Sequence, residues 1–277
     1  MTSTTASPPV PGTVSSPDGT PIAYDRRGAG PALVVVDGAM CYRGCGPSQD
    51  LATALAGRFT VVTYDRRGRG LSGDTTPWAL QREVEDLAAL LEVTGPAILL
   101  AVSSGAALAL EAVRQGVEVR ALVAYEVPFL VQGATRPVPD DFADRLDAAV
   151  AAGRRGRAVS MYLAQVGAPA PVRAVMRLLP TWRSLTAVAH TLSRDIRSLG
   201  GNARGRALDA APWAGTTTPV LVLSGGKSPA SMQEGSRALA AAVPGARHET
   251  LPGQTHMVRA AAVAPVVDAF AAELAGR

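Results

Sequence analysis

Pro96-Ala97-Ile98-Leu99-Leu100-Ala101-Val102-Ser103-Ser104-Gly105 leads directly into the helix-forming stretch Ala106 to Gln115. An apolar run this short, followed without a linker by a helical pattern, reads as a buried strand that turns at a serine into a helix. The serine of such a turn is strained and points its hydroxyl out of the top of a sheet, so its neighbours must be small. Gly105 meets that need and Ala101 nearly does. Ser103 is therefore the first candidate for chemistry, in an Ala-x-Ser-x-Gly string rather than Gly-x-Ser-x-Gly.

Outward from this turn the chain alternates. Gly12 to Ser16 and Pro21 to Asp25 flank the turn signal Pro17-Asp18-Gly19 and read as a hairpin. Ala32 to Val36, Phe59 to Tyr64 and Ala121 to Tyr125 are short apolar runs, the mark of strands buried on both faces. Helical patterns lie between them, at Ser48 to Ala56 and about Trp78 to Val93. This predicts an α/β fold with a mostly parallel sheet flanked by helices. From Val127 to Pro212 only helical patterns occur: Asp140 to Ala152, Ala158 to Val166, Pro171 to Leu178 and Leu185 to Leu199. Alternation resumes with Val220 to Leu223, Ala230 to Ala242, a strand around His248 to Leu251, and a helix from about Arg259 to Ala275. The expected organisation is a disordered Ser/Thr/Pro-rich tail over 1–11, a core over 12–126 and 213–277, and a helical cap over 127–212, inserted after the sixth strand. Such a cap covers the carboxyl ends of the strands, where open α/β sheets bind ligands.

Composition narrows the function classes. At 277 residues the chain can bury a full core. The apolar share is 47%, yet no run approaches the roughly 20 residues of a membrane span, so a cytoplasmic protein without a membrane partner is expected. The net charge of +4 comes from scattered arginines, Lys227 being the only lysine, and aromatics are 4%. A nucleic-acid surface wants a basic stripe with interleaved aromatics, so no nucleic-acid partner is expected. Cys41 and Cys45 are the only cysteines; with no second pair and no nearby histidine they make no metal site, and free thiols are expected.

A serine hydroxyl needs a base. Of the three histidines, His190 falls in a cap helix and reads as packing or surface, and His248 as a solvated strand residue. His256 follows the last strand and the turn Pro252-Gly253-Gln254-Thr255, just before the last helix, and is the expected base.

With these residues the chain resembles the α/β-hydrolases. Asp65-Arg66-Arg67-Gly68-Arg69-Gly70-Leu71-Ser72 resembles their D-x-R-G-x-G-x-S loop, the turn at Ser103 their nucleophile elbow, and Leu251-Pro252-Gly253-Gln254-Thr255-His256 the loop that delivers their histidine. In the commonest arrangement the triad acid follows the strand that here is Val220 to Leu223, but Ser228 stands where an aspartate is usual, and the nearest acid, Glu234, reads as solvent-facing. Glu126, in Tyr125-Glu126-Val127-Pro128, ends the strand after the elbow helix, a position that carries the acid in some haloalkane dehalogenases and in fungal zearalenone lactonases. The likeness to those lactonases extends to Asp37-Gly38 in place of His-Gly, to the x-Ser-Ser-Gly-Ala string, and to Trp182, at a spacing like that of their substrate-contacting tryptophan.

The resemblance implies a cofactor-independent, metal-free serine hydrolase of a small-molecule ester or lactone; a monomer or homodimer is expected. Ser103, His256 and Glu126 are its triad. Backbone donors at Ser104 and at Gly38 or Ala39 serve the oxyanion, and Met40, Val127, Pro128 and Trp182 touch substrate, although Trp182 reads equally well as cap packing. Asp37 is expected to hydrogen-bond neighbouring backbone and hold its loop. A thioester or C–C bond hydrolase, and a ligand-binding protein on the same fold, stay open. An elbow aspartate would be needed for dehalogenase or epoxide hydrolase chemistry.

Overall fold

Each residue of a strand points to the face opposite its neighbour's, so a strand apolar at every position must be covered on both sides. A computed structural model describes residues 8–276 and shows this arrangement. The elements in order are β1 (Val10–Ser15), β2 (Pro21–Arg27), β3 (Ala32–Val36), α1 (Ser48–Leu55), β4 (Thr60–Tyr64), α2 (Leu80–Thr94), β5 (Ile98–Val102), α3 (Ser104–Arg114) and β6 (Ala121–Tyr125). Then come α4 (Phe142–Ala151), α5 (Arg155–Gln165), α6 (Ala170–Met176), α7 (Thr181–Ala187), α8 (Leu192–Ser198), β7 (Val220–Gly225), α9 (Ala230–Ala242), β8 (Arg247–Leu251) and α10 (Ala260–Ala275). The strands form one sheet in the order β1-β2-β4-β3-β5-β6-β7-β8, in which only β2 runs against the rest.

Alternate residues of β3 feed two separate cores. Leu33 and Val35 pack with Leu51, Leu55, Phe59 and Val267, under α1 and α10. Val34 and Val36 pack with Val84, Leu87 and Leu108, under α2 and α3. Each large side chain buried this way contributes about 1.5–3 kcal/mol relative to exposure. The second core continues into the segment between β6 and β7, where Phe142, Leu146, Val159, Leu192 and Ile196 belong to the same cluster. Helix α8 rests on α2 and α3. No helix among the described residues is long and apolar enough to cross a membrane.

Two expectations need correction. Residues 1–7 of the expected disordered tail lie outside the described residues, but Val10 and Pro11 belong to β1, in register with Arg26 and Asp25. Proline is tolerated there because β1 is an edge strand, where one unmade ladder bond faces outward. The single helix expected over Leu185 to Leu199 is broken into α7, a 3-10 turn at Ala189–Thr191, and α8. Thr191 Oγ donates to the Val188 carbonyl at 2.9 Å, and Arg155 Nη1 takes the Ala187 carbonyl at 2.7 Å. These side chains compete with the helical ladder at the break.

Candidate active site

Among the described residues three non-glycine residues have positive φ: Met40 (63°), Ser103 (55°) and Glu126 (50°). All three lie just past the carboxyl ends of sheet strands, in the loop after β3, at the β5–α3 junction and directly after β6. Strained backbone of this kind persists only where surrounding structure enforces it, and it clusters at functional sites. At Ser103 the enforcement is visible. Its N–H donates to the Tyr125 carbonyl at 2.9 Å, and the chain enters α3 at once. A Cβ at Gly105 would lie 2.4 Å from the Val36 carbonyl oxygen and 2.5 Å from that of Asp37. The position of Ala101 is fully buried inside the sheet core, which accommodates its methyl group. Because backbone blocks the space, Gly105→Ala is expected to destabilise the fold by about 3 kcal/mol. Urea unfolding measures this, and an unchanged midpoint would contradict it.

Glu126 has no exposed surface. Its Oε1 accepts the Gly225 N–H at 2.7 Å and its Oε2 lies 2.9 Å from His256 Nδ1. Burial works to raise its pKa, but His256, the adjacent Ser228 hydroxyl and the Gly225 amide hold it below the ordinary carboxylate range. An ionised carboxylate only accepts, so Nδ1 carries the proton and Nε2 is left free as a base. His256 itself is 42% exposed. The loop that bears it is tied down: Tyr125 Oη donates to the Thr255 carbonyl at 2.5 Å, and Lys227 N–H to that of Gln254 at 2.8 Å. Gly225 permits this approach, since a Cβ there would lie 2.6 Å from the Gln254 oxygen. The Ser228 hydroxyl is buried beside Glu126. Ser103 is partly accessible and makes no hydrogen bond to His256 among the described residues.

The loop that carries Gly38 and Ala39 lies beside Ser103. A Cβ at Gly38 would lie 2.9 Å from Ser103 Cβ, so the β3 loop passes against the elbow. No acceptor engages the N–H groups of Ala39 or Ser104 among the described residues.

Other expectations change. Asp37 is 1% exposed and neither carboxylate oxygen finds a hydrogen bond, so it does not hold its loop through backbone bonds as expected. Burial raises its pKa from 3.8 to about 6, against the pull of the nearby Ser48 hydroxyl and of Arg69 and Arg66. Folding thus favours the neutral acid; the associated stability is complete below about pH 4 and is lost as pH rises through 6. Asp37→Asn, which cannot ionise, is expected to gain roughly 3 kcal/mol on the wild type between about pH 4 and pH 8. Urea titrations at both pH values measure this, and parallel stabilities would contradict it. Val127 was expected to touch substrate, but its side chain is fully buried in the core cluster; Pro128 and Met40 are half-buried. Trp182 packs beside Gly156 of α5 and beneath the Arg177 guanidinium at 5.9 Å.

His190 Nε2 lies 3.6 Å from Asp74, and His248 Nε2 lies 2.9 Å from the buried Ser224 hydroxyl. Glu234 is exposed. Cys41 and Cys45 are free, and burial pushes the Cys41 thiol up to about 12, far from a reactive thiolate. Two open clefts, of about 700 and 970 Å³, are lined by other residues and include none of Ser103, His256 and Glu126.

One carboxylate escaped the sequence reading. Asp195 of α8 is fully buried and holds Arg66 at 2.8 Å and Arg69 at 2.7 Å. Its signal was there: it shares the apolar stripe Leu192, Ile196, Leu199, and an acid on such a stripe demands a buried partner.

A sequence profile of the alpha/beta hydrolase family matches residues 28–269. An alpha/beta hydrolase from Sphaerobacter thermophilus is 44% identical and superposes with a TM-score of 0.85, covering 94% of this chain and 99% of its own. The esterase RhEst1 from Rhodococcus sp. ECU1013 shares the fold at 20% identity and a TM-score of 0.67, over 95% of this chain and 99% of its own. The uncharacterized hydrolase YraK of Bacillus subtilis is 34% identical over 130 residues, 44% of this chain and 45% of YraK. The match therefore spans less than half of that relative.

Proposed function

The chain belongs to the alpha/beta hydrolase family, and from that premise we propose that it is a serine hydrolase cleaving a carboxylic ester, most specifically a lactone, through Ser103, His256 and Glu126. The observations that support this reading are a strained serine at the end of β5 and, in the loop after β8, a histidine 2.9 Å from a buried carboxylate. Ser103 Oγ attacks the carbonyl carbon while His256 Nε2 takes its proton. Charge moves to the carbonyl oxygen, which the N–H groups of Ser104 and of Ala39 or Gly38 receive. Collapse breaks the C–O bond to the alkoxy group, His256 returns the proton to it, and in a lactone that alcohol stays attached to the acyl chain. Water, deprotonated by His256, then releases the acid. Glu126 holds the ring and stabilises the imidazolium.

In this reading the Ser103 to His256 hydrogen bond tightens with substrate, as catalytic hydrogen bonds commonly do. The lactone preference rests on the likeness of Asp37-Gly38, Ser103-Ser104-Gly105-Ala106 and Tyr125-Glu126-Val127-Pro128 to the lactonase strings. Helices α4 to α8 form the cap over the site in this reading. A panel of p-nitrophenyl esters, aliphatic and aromatic lactones and acyl thioesters tests it. Turnover of esters and lactones is expected, with the highest kcat/KM on a lactone; turnover of thioesters alone would overturn the substrate class.

A further inference from the structure

Three arginines of the loop after β4, Arg66, Arg67 and Arg69, are each no more than 2% exposed. Arg67 ties the β1–β2 turn to α2, through Asp18 at 2.8 Å and Asp86 at 2.6 Å. The other two do something different. Arg66 Nη1 donates to the Asp37 carbonyl at 3.3 Å and Arg69 Nη1 to the Gly38 carbonyl at 2.7 Å. In a trans peptide the C=O and the following N–H point in opposite directions. Pinning the Asp37 carbonyl therefore aims the Gly38 N–H, and pinning the Gly38 carbonyl aims the Ala39 N–H, each away from the arginines.

Both guanidinium groups are held by one carboxylate. Asp195 Oδ1 accepts from Arg66 Nη1 at 2.8 Å, and both its oxygens accept from Arg69 Nη2 at 2.8 and 2.7 Å. Asp195 Oδ1 also accepts the Ser104 hydroxyl at 2.9 Å. Ser104 carries the other candidate oxyanion donor on its own N–H. Asp195 thus reaches both halves of the donor pair, one through two arginines and one directly. It remains ionised in this setting, because the arginines outweigh the effect of burial.

We propose that Asp195 is a positioning residue for the oxyanion site, fixing from α8 the mutual geometry of the β3-loop donor and the Ser104 donor. The proposal rests on the Ser103 reading above. Seating of α8 and alignment of the donors are then one event, and this part of the helical segment is an anchor of the site rather than a lid that lifts at each turnover. Ser104→Ala removes only the hydroxyl link and suits the first turn of a helix, so it tests the idea without disturbing the buried ion pairs; Asp195→Asn tests the whole cluster.

Each variant is assayed for kcat and KM on p-nitrophenyl butyrate, for Tm, and for inhibition by a trifluoromethyl ketone. Addition of Ser103 Oγ to that ketone generates a tetrahedral oxyanion. Ser104→Ala is expected to fold with Tm lowered by only a few degrees, to hold KM within about twofold, and to lose at least about fivefold in kcat and in ketone affinity together. Ser104→Thr, which restores a hydroxyl, is expected to recover most of both. Asp195→Asn is expected to lose about a hundredfold in kcat if it folds; Ser104→Ala decides the matter if it does not. Wild-type kcat and ketone affinity in Ser104→Ala would overturn the positioning role while leaving the Ser103 reading intact. A wild-type protein that neither turns over the ester nor binds the ketone would overturn both.

Discussion

Ser103→Ala is expected to lower kcat on an ester substrate by about 10⁴- to 10⁶-fold with the fold intact. No other candidate nucleophile among the described residues replaces the attacking oxygen. The neighbouring Ser104 hydroxyl is buried and committed to Asp195, and the Cys41 thiol is held far above the range in which it ionises. Stability gives a second readout. Ser103 holds φ 55° and ψ −127°, a conformation that costs a residue with a Cβ about 1–3 kcal/mol. Alanine keeps that strain, whereas glycine relieves it and loses part of the gain to backbone entropy. Ser103→Gly is expected to be inactive and about 1 kcal/mol more stable than Ser103→Ala. Urea denaturation of the two variants measures this, and equal stability would contradict the strain account.

Glu126→Gln carries the second large effect, an expected loss of about 10³- to 10⁴-fold in kcat. The reason is a count of acceptors. Glu126 accepts twice, from the Gly225 N–H and from His256 Nδ1. Glutamine offers one carbonyl oxygen. Either the buried Gly225 N–H is orphaned, or the amide NH₂ turns to His256 and forces the proton onto Nε2, the nitrogen that has to act as base. A second carboxylate source separates this from general damage. Ser228 sits buried beside Glu126, so Glu126→Gln combined with Ser228→Asp is expected to recover at least about tenfold. Glu234→Gln, on the exposed face of α9, is expected to be silent. Activity lost in Glu234→Gln and kept in Glu126→Gln would move the acid elsewhere.

The framework was legible because the strands β3, β5, β6 and β7 are nearly unbroken apolar runs, and such runs fit only a sheet covered on both faces. Where a side chain bonds to backbone, the pattern misleads. Thr191 breaks an otherwise continuous helical stretch, and periodicity does not register its hydroxyl on the Val188 carbonyl. The edge strand begins earlier than composition suggests, since Val10 and Pro11 are ordered by pairing with β2 and not by their own propensity. At the site, Ser103 is legible from its elbow string, His256 from its loop position and Glu126 from the acid lacking at Ser228 together with the family resemblance, and Glu126 and His256 lie within hydrogen-bond distance. Burial was the part that local sequence did not carry. Asp37 lies among groups brought in by the β4 loop, Val127 turns into the core, and Asp195 meets Arg66 and Arg69 across more than 120 residues of chain. Those partners are set by tertiary packing, which no window around the residue contains.

The central claim is that Ser103 is an activated nucleophile. It is tested most directly by the intact mass and peptide map of the protein after brief exposure to a fluorophosphonate. The account predicts a single adduct on Ser103, absent from Ser103→Ala and formed about 10³-fold more slowly in Glu126→Gln. No adduct, or an adduct on another residue with Ser103 unmodified, would contradict it.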